Sequence, residues 1–228
     1  MANIRVTARL VDVRELLIPL LLASMIVGCS PRNGLENLGD DDDSASVGTC
    51  AASENNWPSV LPQYEEYEGV GAQTGQQLPN FQLNDQNDQS MCLSQLLGHV
   101  LIVDASTRWC GPCNEAAAES AVLWEEMKHI GPSYIATLLV QDGSGLPATL
   151  ADVEWWAETY DIEYPVVMDQ GGQTASAWGV TNYPVFLFVA PTGEVVERWE
   201  QKPAESDILN FVEFAVEEWA DDLRQSNE

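Results

Sequence analysis

The sequence predicts an α/β protein, with strands alternating with helices around one sheet and then a closing hairpin and helix. Three observations predict it. Residues 100–113, VLIVDASTRWCGPC, begin as an apolar, β-branched run that marks a buried strand. Residues 114–128, NEAAAESAVLWEEMK, are rich in Ala, Glu, Leu and Met and read as a helix. Residues 134–141, YIATLLVQ, read as a second, parallel core strand. Two cysteines, Cys110 and Cys113, therefore stand where a strand hands over to a helix N-terminus.

The other elements follow in chain order. Arg5, Arg9 and Arg14 form a basic leader, and residues 16–28 form an apolar run. That run is shorter than the roughly 20 residues of a membrane span. It closes in Ile26-Val27-Gly28-Cys29, which resembles the lipobox of bacterial lipoproteins. The resemblance implies a signal peptide over 1–28 and a lipid on Cys29, with Ser30 leaning towards outer-membrane sorting. An ordinary signal peptide with an incidental Cys is the plainer alternative. Residues 29–56 have little apolar content and carry four consecutive Asp, 40–43. They read as a disordered, self-repelling acidic tether rather than a metal site. Residues 57–77, with Pro and Gly between aromatics, read as an N-terminal extension over the domain, which occupies 78–228.

Within the domain, 78–83 read as a short edge strand, 84–89 as a polar turn and 92–98 as a helical turn. Beyond the second core strand come a Gly-containing loop (142–147) and a helix (149–160) with Thr149 at or near its N-cap. Next are a strand (164–168) and a turn into a short helix (171–178). A hairpin of 185–189 and 195–201 follows, built around Pro191-Thr192-Gly193. Residues 207–223 close the domain as an amphipathic helix. Its core stripe is Ile208, Leu209, Phe211, Val212, Ala215, Val216 and Trp219. Trp155 and Trp156 are read as packing residues, one facing the core and one on the surface.

The chain has 228 residues and a formal net charge of −27, with nine Lys and Arg against 36 Asp and Glu. Nucleic acid is not expected as a partner, because phosphate contacts need a basic surface. Anionic lipid would be repelled too, so membrane contact falls to an anchor. The acidity itself reads as a soluble coat, or as the mark of a salty habitat.

Two thiols separated by two residues close a small disulfide ring. The first lies where helix N–H groups and the helix dipole favour a thiolate. That is the chemistry of dithiol–disulfide exchange, with Cys110, nearer the loop and expected to be more exposed, attacking and Cys113 resolving. A structural disulfide and half a zinc site are the alternatives. Zinc needs further Cys or His ligands, and His99 and His129 are single and scattered. Of the five cysteines, Cys50 and Cys92 remain; the suggestion is that they pair in an exported chain. The alternative is a buried apolar Cys92 beside a free or resolving Cys50.

Trp109-Cys110-Gly111-Pro112-Cys113 resembles the thioredoxin active site. Asp104 stands where thioredoxins carry a buried carboxylate. Trp178-Gly179-Val180-Thr181-Asn182-Tyr183-Pro184, followed by an apolar strand, resembles the segment of the thioredoxin cis-proline. Pro191-Thr192-Gly193-Glu194 resembles the turn beyond it. With the lipoprotein-like start, the chain is similar to the TlpA-like branch grouped with redoxin (AhpC/TSA-type) domains. The resemblance implies a thioredoxin fold: a mixed central sheet with helices on both faces. It implies a thiol–disulfide oxidoreductase without cofactor or metal, facing the periplasm in a bacterial envelope. Its partners would be protein disulfides or dithiols and an unidentified electron donor or acceptor. Trp109 would shield the site, and a cis Pro184 would turn the Tyr183 backbone towards the sulfurs. Asp104 would take and return the proton of Cys113. Tyr183 departs from the smaller residues usual before that proline.

Some readings stay open. Arg108 could pair with Asp104 or favour the thiolate, although a solvated side chain is the plainer expectation. Asp104 could instead lie at the exposed end of its strand. Thr107-Arg108-Trp109-Cys110 matches the Thr-x-x-Cys part of the peroxiredoxin pattern, although Val103 replaces its proline, so an antioxidant thiol peroxidase is a rival. A copper carrier and a non-catalytic binding lipoprotein are weaker ones.

Overall fold

The computed structural model describes residues 55–225. The predicted signal peptide, Cys29, nearly all of the tether and Cys50 lie outside the described residues. The centre of the fold is β3 (Val100–Thr107), buried along its whole length. It pairs in parallel with β4 (Ser133–Gln141), and β4 pairs in parallel with β5 (Val166–Met168). On its other side β3 pairs antiparallel with β6 (Val185–Val189), and β6 with β7 (Val195–Trp199). The sheet order is thus β5-β4-β3-β6-β7, a mixed five-stranded sheet as predicted. The parallel pairs need crossovers. These are α1 (Gly111–Ile130) and α2 (Leu150–Tyr160).

Side chains alternate across a strand, so β3 serves two cores. Val100 and Ile102 face α1, α2 and α4 (Glu205–Glu218). Leu101, Val103 and Ala105 face a second layer. It is made of α3 (Gln173–Ala177), the extension, and a small hairpin of β1 (Gln82–Asn84) and β2 (Ser90–Cys92) that leads into a helical turn at Leu93–Gln95.

Two boundaries differ from the sequence reading. The edge strand expected at 78–83 is reduced to β1, which pairs with β2 outside the main sheet. Pro79 has no N–H to give to a ladder. Leu78 and Phe81 are instead buried as packing residues. The single helix expected over 207–223 breaks at Trp219 (φ −104°, ψ 28°) into α4 and α5 (Ala220–Gln225). The break turns Leu223 back into the core. Ile208, Phe211, Val212 and Ala215 of the predicted stripe are buried, while Leu209, Val216 and Trp219 pack at its margin.

The N-terminal layer meets both outer strands of the sheet. At β7, Val195 N–H donates to the Gln76 carbonyl and Gly75 N–H to that of Val195, both at 2.8 Å. At β5, Val166 N–H donates to Gln86 Oε1 (2.9 Å), and Asp85 bridges to Val167. Asn55, assigned to the tether from sequence, bonds Ser90 and Gln95 in this layer.

Tyr67 pins the extension to the β6–β7 turn. Its hydroxyl donates to the Leu78 carbonyl at 2.7 Å and lies 3.3 Å from that of Gly193. Gly193 has φ +90°, and a Cβ there would fall 2.3 Å from the Tyr67 oxygen. Gly193→Ala combines backbone strain with displacement of that ring, and is expected to cost about 2 kcal/mol or more. Urea unfolding measures it; an unchanged midpoint would refute the contact.

Candidate active site

The buried strand β3 ends at Thr107, and Arg108 and Trp109 turn the chain into α1. Cys110 is the N-cap of that helix: its backbone is extended (φ −81°, ψ 112°) and its sulfur accepts the Cys113 N–H at 3.2 Å. A sulfur thus occupies the place where Ser or Asp usually caps a helix. Gly111 and Pro112 are the first two helical residues. Pro112 loses nothing there, because the first-turn N–H groups have no partner within the helix. The helix starts earlier than residue 114 for that reason. Cys110 and Cys113 are joined in a disulfide, with Cα atoms 5.2 Å apart. Cys110 is the more exposed, but narrowly: 3% against 0%.

Sheet register brings the second motif to the same end. Val185 lies opposite Ala105, which sets Pro184 beside the last residues of β3. The Tyr183–Pro184 peptide bond is cis. The Tyr183 ring meets the Trp109 ring edge-on at 6.1 Å. Trp109 is 51% exposed, and its indole N–H donates to Gln141 Oε1 at the end of β4 (2.8 Å). Leu146, in the loop after β4, is also exposed. The dithiol therefore lies at an aromatic and apolar lip. A broad cleft of about 700 Å³, lined by Trp57, Trp124 and Glu158 among others, includes none of the predicted site residues.

Asp104 is buried, not at an exposed strand end. By strand parity it shares the face of Val100 and Ile102, the side of α1 and both cysteines. The Ser106 hydroxyl donates to its Oδ2 (2.5 Å) and the Thr137 hydroxyl to its Oδ1 (2.7 Å). Burial raises its pKa to about 6, although both hydroxyls pull the other way. Tyr164 on the same face donates to Ser120 Oγ (2.8 Å). Burial, and then the Asp104 charge, raise its phenol well above the usual value.

Arg108 corrects the expectation. It neither pairs with Asp104 nor lies free in solvent. Its guanidinium pairs with Asp152 of α2 and stacks 3.8 Å over the Trp155 ring. Burial alone would raise the Asp152 carboxyl, but bonds from Thr149 and Arg108 outweigh it and hold it below the usual range. Trp156 is core and Trp155 is surface, its face taken by that cation. Cys92 is disulfide-bonded. Nδ1 of His99 and of His129 lies against the backbone carbonyls of Leu96 and Glu125. Among the described residues no three His, Cys, Asp or Glu gather as a metal site would require.

Sequence reasoning missed Ser106, Thr137, Gln141, Asn114 and Tyr160. Thr137, a polar residue within an apolar run, carried a signal of its own, but only the register of β4 ties it to Asp104. Asn114 donates its amide to the carbonyls of Arg108 (3.1 Å) and Cys110 (2.6 Å), and accepts the Tyr160 hydroxyl (2.5 Å).

A mixed sheet with a Cys-x-x-Cys disulfide at a helix N-terminus and a cis-proline beside it defines a thioredoxin-like thiol–disulfide redox enzyme. More closely, the chain belongs to the AhpC/TSA family, whose family model matches residues 74–198. It is 28% identical over 138 residues to the thiol-disulfide oxidoreductase ResA of Bacillus subtilis, covering 60% of this chain and 73% of that one. It is 30% identical over 127 residues to ResA of Oceanobacillus iheyensis, covering 54% and 62%. Among solved structures it resembles a secreted thiol-disulfide isomerase from Corynebacterium glutamicum, with a TM-score of 0.52 at 18% identity, covering 67% and 87%. That likeness is one of fold.

The Asp104 environment sets a pH dependence. The carboxyl titrates near its ordinary 3.8 in the unfolded chain and near 6 in the fold. Between those values the folded state holds more protons, so stability falls as pH rises through the window. Above it, the raised pKa corresponds to a cost of about 3 kcal/mol. Asp104→Asn is expected to gain about 1–3 kcal/mol at pH 8 and to show no gain near pH 3. Urea midpoints across pH test this; a pH-independent difference would count against it.

Proposed function

We propose that the protein exchanges electrons with protein disulfides through Cys110 and Cys113 while held at a bacterial envelope membrane by a lipid on Cys29. The observation that carries the reading is the Cys110 sulfur seated as the cap of α1 and bonded to Cys113. In the reduced protein the Cys113 N–H and the helix dipole stabilise a Cys110 thiolate. The thiolate attacks one sulfur of a client disulfide, and the other client sulfur leaves as a thiolate. Cys113 gives its proton to Asp104 and attacks Cys110. The mixed disulfide breaks, the second client sulfur departs, and two electrons have passed to the client. With its pKa near 6, Asp104 is mostly ionised at neutral pH and able to act as that base. The reverse sequence oxidises a dithiol. A second redox partner of the same dithiol chemistry resets the pair.

The lip of Trp109, Leu146 and Tyr183 suits a macromolecular client, which needs open access rather than a deep pocket. The cis bond before Pro184 is proposed to turn the Tyr183 backbone towards an extended client segment. Residues 1–28 and 29–56 are proposed as signal peptide and tether, supported by the leader, the lipobox resemblance and the acidic composition. Several acyl chains would anchor stably at about 0.8 kcal/mol per buried methylene. Among the described residues no helix is long and apolar enough to cross a membrane.

Insulin reduction with dithiothreitol tests the exchange. Cys110→Ser is expected to abolish it, and Cys113→Ser to accumulate a mixed disulfide with the client. A peroxide-consumption arm addresses the rival reading, on whose side stands a buried Thr107 hydroxyl without a hydrogen-bond partner. Peroxide turnover retained in Cys113→Ser, with wild-type insulin reduction at background, would favour that rival. The anchor has its own test. Cys29→Ser should move the expressed protein from the detergent phase to the aqueous phase in a cloud-point partition; no change would remove the lipid from the proposal.

A further inference from the structure

The Cys110–Cys113 bond restrains the turn between β3 and α1 while it is closed. Reduction removes that covalent restraint at the step where the Cys110 sulfur must stay at the helix N-terminus to be reactive. The structure contains a second restraint on the same turn. Asn114, directly after Cys113, folds its side chain back over the first turn of α1. Its amide donates to two successive parts of the turn, the Arg108 carbonyl at 3.1 Å and the Cys110 carbonyl at 2.6 Å. The Cys110 carbonyl also accepts the Asn114 backbone N–H at 3.1 Å, so one residue holds the cap by backbone and side chain together. The Asn114 side-chain oxygen accepts the Tyr160 hydroxyl at 2.5 Å, which fixes which end of the amide faces the turn. Tyr160 is the last residue of α2, and its ring packs edge-on against Trp156 (5.0 Å), which is buried. The same helix holds the other side of the turn, through Asp152 and Trp155 on the Arg108 guanidinium.

We propose that Asn114, seated by Tyr160, is a positioning residue that keeps the Cys110 sulfur in its capping place over the Cys113 N–H when the disulfide is open. The inference rests on the exchange reading. Arg108 does not supply the effect by charge, because Asp152 pairs with it. The helix that crosses from β4 to β5 thereby acts on the reactivity of a sulfur it does not touch. Hydrogen bonds that order a cap act on the thiolate more than on the thiol, because the capping N–H stabilises the charged form.

The test uses the full chain after reduction, with Cys110 alkylation by iodoacetamide followed across pH. In Asn114→Ala the midpoint is expected to rise by about one pH unit, which is about tenfold less thiolate at a fixed lower pH. Tyr160→Phe keeps the ring and loses only the hydroxyl; about a threefold loss is expected, in line with one hydrogen bond. Thermal unfolding of both variants is measured alongside. Lowered melting temperatures with unmoved alkylation midpoints would show a purely structural role and overturn the proposal. If Asn114→Ala does not fold, an unmoved midpoint in Tyr160→Phe overturns it alone. Failure of the exchange reading would look different, since the wild-type protein would then show no reversible dithiol–disulfide equilibrium with dithiothreitol.

Discussion

The site depends on one contact: the Cys113 backbone N–H pointing at the Cys110 sulfur. It exists because a helix must begin where a buried strand ends, and its first N–H groups have no partner of their own. The chain satisfies one of them with sulfur instead of oxygen. The rest of the architecture holds that junction still. β3 is covered on both faces and paired on both sides, so the end from which the turn departs cannot drift. Pro112 removes one orphan donor and presets the helical backbone. β6 runs back beside β3 and delivers the Tyr183–Pro184 segment to the same end.

A second constraint opposes the first. The face of β3 that carries the site is part of the main core, and Asp104 is a carboxylate inside it. Its hydrogen bonds from Ser106 and Thr137 soften the burial without cancelling it. A fold selected for stability alone would place an apolar residue there. An acid kept in that core with its titration point raised to about 6 is what the proton transfer proposed above would use.

Much of this was legible in the sequence because it is local. A β-branched run, a turn with two cysteines and an Ala- and Glu-rich helix are neighbours in the chain, and their order fixes the junction. Asp104 stood out against the apolar run, and its expected burial holds, with the exposed strand end set aside; what surrounds the carboxyl was not legible. The partners are what sequence leaves out. Thr137 reaches Asp104 only through the parallel register of β4, and Tyr160 reaches Asn114 only through the placement of α2. Arg108 was misread for the same reason: Asp152 and Trp155 are distant in the chain. At the start of the domain, 78–83 read as an edge strand, but Pro79 has no N–H for a ladder and Leu78 and Phe81 turn inward, so only Gln82–Asn84 pairs.

The N-terminal layer has a consequence beyond its packing. Open sheets end in strands whose outward N–H and C=O groups can recruit another chain. Here the N-terminal layer meets part of each outer strand: Gly75 and Gln76 bond to Val195 at the start of β7, while Gln86 and Asp85 meet Val166 and Val167 of β5. A foreign strand seeking to lengthen the sheet at those positions would first have to peel this layer away.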